Sequence, residues 1–209
     1  MMKQSLLLSR RALIPVSMLL LSLAGCGSLI GPSTPPAQIY RLSPAFPASA
    51  EGTAVTWQLS IARPTTTQTL DSERIALSRG ATMDYYADAQ WNDTAPRLLQ
   101  SLLAEAFEHT GRIAAVASES TGLRTDYLLV TEIRDFEAQY DSANAAPQVV
   151  VDIAAKLLDT RGKVIAARDT HRTARASQNS VASVVDAFDQ ASAAALNEIA
   201  TWTLQSPSP

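Results

Sequence analysis

The chain has 209 residues, with 17 basic and 20 acidic side chains, 46% apolar residues, two histidines and one cysteine. A formal net charge of −3 without any basic cluster excludes a nucleic-acid binder driven by phosphate contacts. A single thiol excludes an internal disulfide, and the length suits one domain with a sizeable core.

In chain order, the first element is a leader. Lys3, Arg10 and Arg11 precede an apolar run from Ala12 to Ala24, and Leu23-Ala24-Gly25-Cys26 closes it. A basic start, a short apolar stretch and small residues at the cut form a secretory signal peptide. The run holds about 13 residues broken by Pro15, whereas a spanning helix needs roughly 20, so a transmembrane anchor is not expected. The tetrapeptide resembles the lipobox of bacterial lipoproteins. That resemblance implies cleavage before Cys26, lipid on its sulfur and an acylated new amino terminus. One acyl chain binds only marginally, at about 0.8 kcal/mol per buried methylene, but the three chains implied here would hold essentially permanently. Gly27, rather than an aspartate, follows the cysteine, which implies sorting to the inner face of the outer membrane. Removing residues 1–25 takes three basic residues and no acid, so 14 basic face 20 acidic side chains and the net charge becomes −6. With Cys26 lipidated, no thiol remains for catalysis.

Residues 26–37 are rich in Gly, Pro and Ser and read as a tether. Ile39 to Leu42 reads as a short strand, followed by a Pro/Ala/Ser-rich loop over 43–53. Trp57, Leu59 and Ile61 alternate as a half-buried strand ended by Pro64. Ile75 and Leu77 mark a strand within 70–78, and Thr82 to Ala87 another. Asn92, Asp93 and Thr94 offer N-caps, Pro96 suits a first helical turn, and Leu98, Leu99, Leu102, Leu103, Ala106 and Phe107 share one helical face up to Gly111. Ile113 to Val116 is a short strand. Tyr127 to Val130 is apolar on both faces, which predicts a central strand running on to Phe136. Val149, Val151, Ile153, Ala155 and Leu157 alternate, Asp159 to Gly162 turns, and Val164 to Arg175 returns as a hairpin. A final helix from Ser180 carries a stripe of Val181, Val184, Val185, Phe188, Ala191, Ala195, Ile199 and Trp202. Over about 24 residues it would span roughly 36 Å. Residues 205–209 read as a frayed tail. The expected fold is α+β: a mixed, mostly antiparallel sheet packed with two long helices, as one domain over 38–204.

Several of these segments together resemble a known family. The lipobox, Tyr40-Arg41-Leu42 with Pro44, Leu70 to Ile75, Tyr85-Tyr86 and Trp91 before an apolar helix, and Ala187-Phe188-Asp189 in a helix ending near Trp202 resemble the ABC-type transport auxiliary lipoproteins, which include the PqiC-type lipoproteins. The resemblance covers essentially all of the chain after Cys26, and departs around residues 65–80. It implies an outer-membrane lipoprotein that partners an MCE-domain protein and an ABC transporter, moving lipids or other apolar molecules across the envelope. The alternative is a structural lipoprotein supporting outer-membrane or cell-wall assembly.

Catalytic motifs are missing. His109 and His171 have no companion at metal-ligand spacing, and no Gly-x-Ser-x-Gly or phosphate loop occurs. Asp84, Asp88 and Asp93 lack the turn glycine and closing glutamate of a calcium loop. No enzyme activity, cofactor or metal is therefore expected. The candidate contact residues are Tyr85, Tyr86 and Trp91, between a strand and a helix start. Adjacent tyrosines on a strand point to opposite faces, and amphipathic rings at a sheet rim suit a contact with a partner, a ligand or a second copy of the chain; the alternative is that Trp91 plugs the end of the first helix and one tyrosine belongs to the core.

Overall fold

The computed structural model describes residues 36–47, 52–118, 124–142 and 144–206. Cys26, the signal peptide and almost all of the tether lie outside the described residues.

The strands are β1 (Gln38–Tyr40), β2 (Leu59–Ile61), β3 (Arg74–Arg79), β4 (Thr82–Trp91), β5 (Val116–Ser118), β6 (Tyr127–Gln139), β7 (Gln148–Asp159) and β8 (Val164–Arg175). They form one mixed sheet. β6 is its axis, as its two apolar faces predict. One edge of β6 pairs antiparallel with β7 along its whole length, and β7 pairs antiparallel with β8. The other edge is shared. β2 runs parallel to its first residues and β3 parallel to its last, with Thr65 bridging to Glu132 between them. β5 adds to β2, while β4 and then β1 add to β3. The long ladders are thus antiparallel, and the short strands attach in parallel.

Two helices cover one face: α1 (Ala95–His109) and α2 (Val181–Gln205). Pro96 lies in the first turn of α1, where a missing N–H costs nothing. The backbone at Thr94 is extended as a cap requires, but its side chain makes no capping bond. Gly111 follows with φ +63°, a conformation that stops the helix cheaply only for glycine. At α2 the cap is complete, with the Ser180 hydroxyl accepting the Ser183 N–H. The helix runs to Gln205, one residue into the stretch read as a tail.

Helices and sheet meet closely at a central contact. Leu99 and Leu103 of α1 and Leu196 and Ile199 of α2 close on Thr131, Ile133 and Ile153 around Pro64, leaving no room for a water molecule. Beside this contact sits an aromatic cluster. Trp91 stands edge-on to Phe188 at 5.1 Å between ring centroids, and Phe136 lies 4.7 Å from Phe188 and 6.0 Å from Trp91. Two sequence readings change here. β2, flanked by β6 and β5, is buried on both faces rather than half-buried. Trp202 is only half-buried, and Thr203 and Leu204 supply the buried end of α2 instead.

Between β1 and β2 the chain crosses the helix layer as a strap, residues 41–47. Leu42 and Pro44 point inward and are buried, and the Ser43 N–H donates to Asp189 Oδ1 of α2 at 2.7 Å. Burial outweighs that hydrogen bond and the nearby Asp186 adds to it, so the Asp189 carboxyl lies above the ordinary aspartate value.

Candidate functional site

The three aromatics singled out by sequence do not share a surface. Trp91 is 1% exposed and belongs to the core, so its reading as a contact residue at an exposed rim is corrected. The reason lies in β4, which runs through Trp91 instead of ending near Ala87. Strand alternation then turns the indole towards the helices, into the gap between Phe136 and Phe188. Its Nε1–H has no acceptor there.

Tyr85 and Tyr86 do diverge, as alternation requires. The Tyr85 hydroxyl donates to the Thr69 carbonyl at 3.0 Å, and the Arg74 guanidinium carbon lies 3.6 Å from its ring centroid, a cation–π stack. Tyr86 turns the other way. Its hydroxyl shares a 2.8 Å hydrogen bond with the Tyr140 hydroxyl, which in turn donates to Asn179 Oδ1 at 2.9 Å. Burial, then the Tyr140 bond, pushes the Tyr86 phenol far above its ordinary pKa, with Arg79 opposing. This chain of hydroxyls ties β4 to the loop before α2, so the Tyr86 hydroxyl is already engaged inside the fold. The register of β4 with β3 breaks next to this pair, where Arg74 pairs Gln90 and Ala76 pairs Tyr85.

The sheet face turned away from the helices carries a polar row that sequence reasoning did not find. Asp135, Asp152 and His171 stand side by side on β6, β7 and β8, and His171 Nδ1 lies 2.9 Å from Asp152 Oδ2. Glu137, 5% exposed, accepts the Ser78 hydroxyl at 2.7 Å through Oε1, while its Oε2 has no partner. Burial, then repulsion from Glu137 and Asp152, raises the Asp135 carboxyl above its ordinary value, and His171 opposes this. The only signal in the sequence was the hairpin register, which sets Asp152 opposite His171. His109 lies in the last turn of α1, within hydrogen-bonding distance of the Glu105 carbonyl at 3.0 Å, where a helix end favours positive charge.

The three aspartates weighed for calcium do not converge. Asp84 and Asp93 each accept the N–H of the next residue. Among the described residues, no group of three or more His, Cys, Asp or Glu side chains is placed to hold a metal ion. Open grooves flank the strap. One of about 550 Å³ lies against α1 and includes Arg41 and Arg97; another of about 470 Å³ lies against α2 and includes Ala193 and Ala194. Among the described residues no helix is long and apolar enough to cross a membrane.

The domain is thus a sheet with helices on one face, a strap across them and two grooves beside the strap. Residues 40–200 match the family described as the ABC-type transport auxiliary lipoprotein component, and the chain belongs to that family. A crystal structure of a Xanthomonas campestris protein of the DUF330 family is similar at 32% identity and a TM-score of 0.75, covering 80% of this chain and 95% of that one. A second solved structure, of an uncharacterized protein, shares the fold with a TM-score of 0.63 at 15% identity, covering 80% of this chain and 99% of that one. An uncharacterized protein of Bradyrhizobium diazoefficiens is 28% identical over 183 residues, or 87% of this chain. The chain spans about half the length of that curated relative, 49%. The family's description is that of a lipoprotein component auxiliary to ABC-type transport.

Proposed function

We propose that this protein is an outer-membrane lipoprotein, held at the periplasmic face by acylated Cys26, that docks an MCE-domain protein and its ABC transporter. The system moves lipids or other apolar molecules across the envelope. The protein acts by binding, not catalysis. One observation carries this reading: a lipobox at Leu23 to Cys26 and a Gly/Pro/Ser tether run directly into the family domain over residues 40–200.

Geometry supports a docking role. Among the described residues the helix–sheet contact around Pro64 leaves no room for a water molecule, and Leu42 and Pro44 of the strap are buried. Surfaces are therefore what this domain offers to others. A structural lipoprotein of the cell wall would share the anchor but not the transporter, so the partner is the discriminating property.

Metabolic labelling with a palmitate analogue, followed by separation of inner and outer membranes, tests the anchor. The wild-type chain takes up label and fractionates with the outer membrane. Label on Cys26→Ser, or wild-type protein confined to the inner membrane, contradicts the location. With the tagged lipoprotein as bait, an ABC ATPase and an MCE protein are expected in the eluate.

A further inference from the structure

Among the described residues, the large exposed hydrophobic side chains are Ile39, Met83 and Val164, at 66%, 40% and 47% exposure. Strand register places the first two on one surface. Ile39 pairs with Gln90, Gln90 with Arg74, Ala76 with Tyr85 and Ser78 with Met83. Arg74, Ala76 and Ser78 alternate with Ile75 and Leu77, which are buried under the helices. Ile39, Arg74, Tyr85 and Met83 therefore share the sheet face that no helix covers, and the Arg74–Tyr85 stack confirms that two of them meet there. No carboxylate among the described residues pairs with Arg74.

We propose that this face of β1, β3 and β4 rests on the phospholipid surface to which Cys26 is anchored. The inference builds on the anchoring of Cys26 proposed above. Its chemistry is that of a bilayer interface. Two aliphatic side chains reach for the acyl boundary, and the Arg74 guanidinium, stacked on Tyr85 and without a carboxylate partner among the described residues, suits a lipid phosphate. Chain length supplies the second argument. Residues 26–37 are twelve, which reach at most about 40 Å when fully extended, and they lead directly into β1. Ile39, 66% exposed, is the second residue of the domain after this tether. Register sets Ile39 level with Arg74 and Met83 level with Ser78, about 13 Å apart along β3, with Tyr85 between them, so the three side chains form one row on this face. Val164 is the internal contrast. It pairs with Leu158, which pairs with Leu128, eleven residues along β6 from the Gln139 that lies beside Ser78. That places it some 35 Å from Met83 along the strand direction.

The test uses the full lipidated chain in vesicles of phosphatidylethanolamine and phosphatidylglycerol. Met83→Cys or Val164→Cys carries an environment-sensitive fluorophore, with Cys26 blocked by its own lipid, and a fraction of the lipids bear a quencher at the top of the acyl chain. Flotation of the vesicles reports the anchor separately. The expected result is blue-shifted emission and several-fold stronger quenching at position 83 than at 164. Floating protein with equal or absent quenching at the two positions overturns the inference and leaves the anchor standing. A blue shift at 83 without lipid quenching also overturns it, since another protein surface then covers the face. Protein that does not float overturns both readings.

Discussion

Replacing Trp91 separates a core role from a surface role in one experiment. The indole is 1% exposed and packs between Phe188 and Phe136 at 5.1 and 6.0 Å. Truncating a buried aromatic to alanine costs about 3–5 kcal/mol, out of a domain stability of about 5–15 kcal/mol. For a domain of this size each kcal/mol moves the thermal midpoint by about 2–4 °C, so Trp91→Ala lowers it by about 6–20 °C. Trp91→Phe discriminates further. The Nε1–H has no acceptor, and a buried unpaired donor costs about 1–3 kcal/mol. Phenylalanine keeps most of the ring and removes that cost, so its midpoint falls by less than half the alanine change. Far-UV circular dichroism melts of the two variants and wild type check this. A Trp91→Ala midpoint within 2 °C of wild type refutes the packing described here.

Other consequences are equally direct. Phe188→Ala, at the centre of the aromatic cluster, lowers the midpoint by a similar amount, whereas Trp202→Ala, half-buried at the end of α2, costs clearly less; equal losses contradict the described burial. Ser180→Ala removes the α2 cap and costs about 1 kcal/mol in denaturant titration, with Ser180→Asp retaining the bond and the stability. Asp135→Asn removes a charge that burial penalises first and repulsion from Glu137 and Asp152 second, and raises the midpoint at pH 7. The sign follows from the raised carboxyl. The folded state holds this proton up to a higher pH than the unfolded chain does, so wild type recovers stability as pH falls through the folded value towards 3.8. The advantage of Asp135→Asn therefore shrinks over that window, and a constant advantage down to pH 4 contradicts the assignment.

The elements that were legible in the sequence are those whose burial is one-sided and periodic. The stripe Leu98 to Phe107 gave α1 and its Gly111 stop, and the alternation Val149 to Leu157 with Gly162 gave the β7–β8 hairpin, because side-chain period alone decides these. β4 was harder to read. Its residues Ala87 to Gln90 alternate poorly, since the register with β3 breaks there, and the strand's extension to Trp91 depends on pairing with β1, which no local pattern encodes. That one missed boundary sent Trp91 to the surface in the sequence reading. The strap escaped detection for a related reason: Leu42 and Pro44 are isolated apolar residues in a loop, buried only because two helices distant in sequence lie beneath them. The Asp135–Asp152–His171 row needs the β6–β7 register, including its irregularity after Ile133, before the three side chains can be seen as neighbours.

The accessory role itself is tested most directly by affinity purification of the full lipidated chain from detergent-solubilised envelopes, with Cys26→Ser as the paired control. The account predicts that an ABC ATPase, its permease and an MCE-domain protein co-elute with wild type in stoichiometric amounts, and that the yield of the complex drops when Cys26 is replaced. Wild-type protein that elutes alone, or with cell-wall components and no transporter subunit, contradicts it.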